Sequence, residues 1–491
     1  MGIFNNFFKT AKAYHNKNLK NSRLRPMTTS SPSIPERDMN TADRRKAMTT
    51  ARQAIEENPI AMSMMITGVD NVVGTGYNLR MLTSNKDYNV EVERRFQAQS
   101  ESKLLDVRGL RTFGDIQRMW WMRRAIDGDV GAIKKISVAD DGMVLTQAQT
   151  IEADRIRKTG AHTVDDVGID YDSYGKALQY WVGPRVEGLL DVQAQLENGI
   201  AVAAKDFIFY PFDGTQRTER KRGMTMFLQD FNLLKDFQQV MDAMLQKVKN
   251  EAFIGLNFQM DGATDGKLFG DSEVQKDDPD GKTRRHVKMI AGMTIHSQPG
   301  EKVDVLGTKS PHGDWIDFMR LILRLMGSPL ALPLEMFFLD FNDTNFSGGR
   351  AIIEIAKRHF RVEQRLLESP SNEFFMRWLE NEIKFNGLVV PSDVAIGTVH
   401  KWGKPGWPYL DPKKDVEAQA LQIANGLTTR QRILDETTGE DWTDIAQGLA
   451  AEQELLKELG VPIAIGQPGN TVSGGSDETK EDKDDDIEGD K

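Results

Sequence analysis

Between Gly223 and Gly255 the chain contains no glycine or proline. Within that run Phe227, Phe231, Leu234, Phe237, Met241, Met244, Val248 and Ala252 recur at steps of three and four. This spacing predicts one amphipathic helix of roughly 29 residues, about 43 Å long. Such a helix exceeds the usual length of a surface helix in a compact domain. It must bridge two bodies or pack beside copies of itself.

The flanks extend the pattern. A Gly/Asp/Lys-rich stretch follows, with strand-like pieces near Met293–Ser297 and Lys302–Leu306. A second amphipathic segment comes next, "DWIDFMRLILRLMG", with Trp315, Phe318, Ile322 and Leu325 on one face. A small module is thus inserted between two helices, like the tip of a hairpin. Upstream, the chain reads as helices broken near Pro59 and a turn into a strand at "NVVGTGYNLRML". An amphipathic helix is expected in "RTFGDIQRMWWMRRAIDGDVGAIKKI", ending at the Gly128 and Gly131 turn region. Short strands follow at "MVLTQAQTIE", "GIDYD", "ALQYWVG" and "DFIFYPF", an α+β organisation. Downstream, "DFNDTNFSGG" is a polar loop leading into a helix to about Glu368. Another helix is expected after Pro370, then helices near 412–425, 428–437 and 442–459.

The formal net charge of -10 is unevenly distributed. The final stretch "SDETKEDKDDDIEGDK" holds nine acids and three bases, whereas the first 25 residues hold six bases and no acid. A basic arm, a near-neutral body and an acidic tail are expected, both ends solvated. The chain has no cysteine, which excludes disulfides, thiol catalysis and iron–sulfur clusters. No apolar run is long enough to span a membrane, and no secretory signal is expected.

Enzyme motifs fail on inspection. "GTGYNL" at Gly74 lacks the third glycine of a dinucleotide loop and leads into a strand. "DGKT" at Asp280–Thr283 ends like a phosphate loop, but Lys276 stands where its first glycine belongs. No histidine pair has metal-binding spacing, and His359 with Glu363 one turn on reads as a helix-surface ion pair. No serine sits in a nucleophile elbow. The residues point to neither an enzyme nor a cofactor.

Four stretches together resemble the lambda-type portal proteins of tailed bacteriophages, from about Arg37 to Gly460. They are "NVVGTGYNL", "LTQAQTIEADRI", "GSPLALPLEMFFLDFNDTNFSGGRAIIEIAKRHF", and "RWLENEIKFNGL" followed by "WPYLDPKKDVEAQALQIANGLTT". Here Gly348 and Gly349 stand where the family commonly has Ser-Ser or Ser-Ala. The resemblance implies a mainly helical α+β portal fold with wing, stem helices, clip and helical crown, assembled as a ring. Its parts would be a flexible arm at 1–40, the wing at 41–222, stem helices at 223–255 and 313–327, and the clip at 256–312. The tunnel loop would occupy 328–347, a channel-wall helix and return helix 348–390, the crown 391–465 and a disordered tail 466–491.

The resemblance further implies a ring, usually of about twelve copies, at one capsid vertex, through which double-stranded DNA is packaged and ejected. Its partners would be DNA read without sequence specificity, the terminase large subunit, the major capsid or scaffolding protein, and head-completion proteins. It would sit in the virion and assemble in the host cytoplasm. Phe337, Phe338, Asp340, Phe341, Asn342, Asp343, Thr344 and Asn345 would form the tunnel loop, hinged at Gly348 and Gly349. Arg350, Lys357 and Arg361 would face DNA. Lys282, Arg284, Arg285 and Lys288 would dock the motor. Phe227, Phe231, Leu234, Met241, Trp315 and Ile322 would pack stem helices between subunits. The competing readings are another ring-forming head–tail connector component, which would lack the helix–insert–helix hairpin, and a DNA-processing packaging enzyme. A conduit must hold its cargo weakly, because Lys and Arg contacts to phosphate dominate DNA affinity. A mostly acidic chain with a few basic rings meets that requirement.

Overall fold

The computed structural model describes residues 41–159, 167–184, 199–214, 220–252, 256–260, 301–305, 313–342, 344–394, 399–407 and 412–460. Its N-terminal part is a helical layer: α1 (Thr41–Glu57), α2 (Pro59–Val72), β1 (Asn78–Met81), α3 (Lys86–Glu101) and α4 (Phe113–Asp127). Asn58 separates α1 from α2, its side-chain oxygen accepting the Ile60 and Ala61 N–H groups at 2.9 and 3.3 Å, with Pro59 at the first helical position. Thr112 and Asp115 close a capping box on α4. Gly128 ends that helix at φ 93°, and a Cβ there would lie 2.6 Å from the Met224 backbone. Only glycine fits that close approach.

Two antiparallel sheets follow. In the first, β2 (Asp129–Val138) lies between β3 (Val144–Glu152) and β7 (Phe207–Pro211). In the second, β5 (Ala177–Val182) lies between β4 (Ile169–Tyr171) and β6 (Ile200–Ala203). A second small core of Ile151, Ile156, Ile169, Tyr180, Val182 and Phe207 joins the sheets.

The long helix α5 (Phe231–Ala252) follows a 3-10 turn at Met226–Gln229. Next come paired antiparallel strands β8 (Leu256–Met260) and β9 (Glu301–Val305), then α6 (Gly313–Gly327), which packs on α5. A short α7 (Leu334–Phe337) leads to α8 (Phe346–Phe385), 40 residues and about 60 Å long. The chain closes with β10 (His400–Gly403), paired antiparallel to β1, and helices α9 (Pro412–Ala424), α10 (Arg430–Thr437) and α11 (Trp442–Glu458). None of the last three helices buries a residue.

One hydrophobic core runs through the N-terminal helical layer, the first sheet, the roots of α5 and α6, and α8. Its centre is aromatic. Phe96 meets Phe113, Phe375 and Trp378 edge-on at 5.5, 5.5 and 5.0 Å, and Phe113 stacks on Phe374 at 5.2 Å. Such pairs add about 0.5–1.5 kcal/mol each beyond their burial.

Several expectations are corrected. The long stem helix has 22 residues. Thr225 caps a separate turn, accepting the Phe227 N–H at 3.2 Å, and the helix starts only after Asp230. The expected break at Pro370, with a return helix after it, is absent: α8 passes straight through. Pro370 leaves one carbonyl without its helical donor, and the neighbouring Leu367 carbonyl accepts the Ser371 hydroxyl at 2.9 Å. Buried Leu367, Phe374, Phe375 and Trp378 on either side hold the helix together. Gly131 lies inside β2, where its missing Cβ makes room for the Phe207 ring. Helices α3 and α7 and strands β2, β6, β8 and β10 lie where no such element was expected. The strand expected near Met293–Ser297 lies outside the described residues, and the other expected strands and the three C-terminal helices are present within a few residues.

Two side chains at the stem root carry testable energetics. Arg222 donates through Nε and Nη2 to Asp129 at 2.7 Å each, and to the Ile156, Val167 and Ala153 carbonyls at 2.6, 2.8 and 2.9 Å. Arg222→Lys, which cannot reproduce that fork, should lower unfolding free energy by about 3 kcal/mol in denaturant titration. Asp230 is buried with neither carboxylate oxygen hydrogen-bonded. Burial pushes its carboxyl up to about 7. The folded state therefore holds a proton that the unfolded chain has lost above about pH 4, so this group costs stability progressively as pH rises from 4 to 7. Asp230→Asn should stabilise the protein by on the order of 3 kcal/mol at pH 8 and leave it little changed at pH 4; thermal melts at both values check this.

Candidate functional site

The segment between α7 and α8 is built from local capping. Asn345 precedes α8 and its side-chain oxygen accepts the Gly348 N–H at 2.6 Å. Gly348 and Gly349 therefore lie in the first turn of the helix, and the expected hinge is not at these residues. Asp340 accepts from Arg320 Nε at 2.9 Å and from the Asn342 N–H at 3.2 Å. The Asn342 backbone bond, reinforced by the Arg320 guanidinium, holds the Asp340 carboxyl below its usual range. Thr344 donates to Glu335 at 3.2 Å. Phe338, Leu339 and Phe341 are left exposed, Leu339 at φ 57°. Phe337, expected in the loop, is buried in the core, and its carbonyl accepts the Ser63 hydroxyl at 2.5 Å. Asp343 lies outside the described residues.

The bases of α8 divide into two sets. Arg350 pairs with Asp415 on α9, Lys357 with Glu354 at 2.7 Å, and Arg361 lies over the Trp407 ring at 5.6 Å. Lys357 also sits 5.8 Å from that ring. Trp407 is fixed by its own N–H groups, which donate to Asn71 Oδ1 at 2.9 Å and to the Glu436 carbonyl at 3.2 Å. A polar cavity of about 370 Å³ lies among these groups. Of the three residues expected to face DNA, Arg350 thus fastens α9 to α8, and Lys357 and Arg361 lie against the Trp407 ring. The physical reason is proximity: Asp415 and Trp407 converge on the same helix face. Arg80 adds a second fastening, to Asp441 and the Gly439 carbonyl at 2.8 Å each. Sequence reasoning passed over Trp407, Asp415 and Arg80; only the run "GKPGWP" hinted at an aromatic docking segment.

Arg358 and Arg365 form the other set, exposed and without an ion pair among the described residues. Seven residues apart, they share a face with exposed Ile355, Val362 and Leu366. Glu363 does not pair with His359 on the surface. It turns inward, accepting from Arg124 at 2.6 Å and from the Trp121 indole at 3.0 Å.

Phe227, Leu234 and Ile322, expected to pack between subunits, are buried within this chain, while Phe231, Met241 and Trp315 are half-buried against the same core. The pairing of α5 with α6 turns those side chains inward. Further along the same face of α5, Leu245 and Val248 are exposed, and another face of α6 carries exposed Phe318, Leu321 and Leu325. Lys282, Arg284, Arg285 and Lys288 lie outside the described residues. Among the described residues no cluster of acids and histidines could hold a metal, and no helix is long and apolar enough to cross a membrane.

The fastening of α9 is testable. Arg350→Ala removes a half-exposed pair worth roughly 1 kcal/mol. It should speed amide hydrogen exchange over Pro412–Ala424 by about fivefold, leaving α4 unchanged.

Comparison with known proteins places these features in context. A search of curated proteins finds no match. Three solved structures of gene transfer agent (GTA) particles are matched at 11% identity, each over 94% of its own length. These are the neck of a native particle computed with C12 symmetry (80% of this chain, TM-score 0.45), the virion of a native particle (85%, 0.46) and the neck of an empty particle computed with C6 symmetry (86%, 0.48). Residues 22–364 match the phage portal protein, lambda family. That stretch takes in the helical layer, both sheets, the α5–α6 hairpin and the basic half of α8, and the chain belongs to the lambda family of phage portal proteins.

Proposed function

We propose that copies of this chain assemble into a portal ring at one vertex of a phage-like particle, around an axial channel for double-stranded DNA. The observation that carries this is the apolar face left open on the stem hairpin. Phe318, Leu321 and Leu325 recur at helical spacing on α6 and stay exposed, as do Leu245 and Val248 on α5. Burying such side chains is worth about 1.5–3 kcal/mol each. A second copy of the hairpin is the covering the family's architecture supplies, and a ring of about twelve copies would cover every such face.

In this reading the exposed loop carrying Phe338, Leu339 and Phe341 lines the constriction. Arg358 and Arg365 supply weak phosphate contacts, repeated around the ring. Two bases per copy hold DNA loosely enough for it to slide. The β8–β9 pair marks the base of the clip, where Lys282, Arg284, Arg285 and Lys288 would meet the terminase motor and later the head-completion proteins. The ring would form in the host cytoplasm and act in the virion as a non-catalytic connector.

Negative-stain images of the purified chain should show rings of about twelve subunits with an axial hole. Leu321→Asp with Leu325→Asp should shift light scattering toward smaller species. A stable monomer at all concentrations would overturn the assembly. Arg358→Glu with Arg365→Glu should change packaged DNA length while leaving rings intact; unchanged packaging and retention would remove these residues from the channel.

A further inference from the structure

A groove of about 770 Å³ opens on the wing between α4, the turn at 106–111 and the end of β3. Arg108, Arg111, Arg118, Arg123, Arg155 and Arg157 line it. Four acids share its walls, and each is already engaged. Asp106 accepts the Arg108, Leu110 and Arg111 N–H groups, and Asp115 closes the capping box with Thr112. Glu152 and Asp154 both lie on Arg52, at 3.3 and 3.1 Å. On the basic side, Arg118 pairs with Asp70 at 2.7 Å and Arg155 donates to the Gly183 carbonyl at 3.2 Å. Arg108 and Arg111 have no carboxylate partner among the described residues, and Arg157 Nε is buried without an acceptor. Val107, Met119, Met122 and Pro184 give the same groove apolar patches.

The groove therefore suits a ligand that is strongly anionic and also carries an aliphatic side chain. We propose that its occupant is the acidic C-terminal segment of this chain, residues 477–490, which lies outside the described residues. That segment carries Asp484, Asp485, Asp486 and Glu488 around a single aliphatic residue, Ile487. Ile487 meets Met119 and Met122 while the carboxylates meet the unpaired arginines in charge-assisted, two-pronged hydrogen bonds. A DNA backbone fits less well. The thioethers offer nothing to a phosphodiester, and no aromatic ring lines the groove for a base to stack on among the described residues. The stretch from Gly460 to Ile487 extends to at most about 90 Å, longer than the ~60 Å of α8. The tail would then occupy an arginine-rich surface that could otherwise capture nucleic acid.

Because the chain has no cysteine, a single introduced pair reports the contact in the full-length protein. Met119→Cys is combined with Ile487→Cys, or with Ser473→Cys in the non-acidic part of the tail as reference. The yield of each oxidised cross-link is then read by peptide mass spectrometry. The Ile487 pair should exceed the reference by about fivefold and fall to it in 1 M salt, where screening shortens to about 3 Å. Arg108→Glu with Arg111→Glu should have the same effect. Replacing Asp484, Asp485 and Asp486 with Asn leaves the described body untouched and should also lower the yield to the reference. Equal yields at 473 and 487, or a yield insensitive to these charges, would overturn the proposal. Reference-level cross-linking together with Arg108-dependent binding of a duplex oligonucleotide would assign the groove to DNA and overturn it as well.

Discussion

Arg222 is the point on which the geometry of this protein turns. A guanidinium has five N–H donors, and each is used, two on Asp129 and three on the carbonyls of Ala153, Ile156 and Val167. Asp129 also accepts the Gly223 N–H at 3.0 Å. One side chain thus ties the start of β2, the end of β3, the approach to β4 and the root of the stem. A buried ion pair adds little net stability unless every partner is in place. Here the satisfied set fixes a direction: the stem can leave the wing at only one angle.

That root sits within the larger of the two cores. Hydrophobic packing runs unbroken from α2 through the Phe96–Phe113–Trp378 cluster into α8 and the bases of α5 and α6. The β4–β5–β6 sheet packs on the second, smaller core, and α9, α10 and α11 are held by polar fastenings at Arg80, Arg350 and Trp407.

Local pattern made much of this legible. Three- and four-residue spacing revealed α5 and α6, capping residues and Pro59 divided α1 from α2, and alternation with aromatic enrichment marked β3, β5 and β7. Strand β2 was hidden because Gly131 looked like a turn; its small size makes room for the Phe207 ring of the neighbouring strand β7. Helix α8 was split at Pro370 because propensity is local, whereas burial of Leu367 and Phe374 on either side is not. The site was harder to read for the same reason. The charge of Arg350, Lys357 and Arg361 is visible in the sequence, but their partners at 407 and 415 lie some fifty residues away.

The uninterrupted run of α8 has a mechanical consequence. From Ala356 to Trp378 it is clamped along its length, by Ala356, Phe360, Leu367, Phe374, Phe375 and Trp378 in the core and by Arg124 on Glu363, while its first turn carries the exposed loop. Only about 10 Å of helix separates Gly349 from the first of these clamps. The loop is thereby carried on a short, stiff lead and moves with the core behind it.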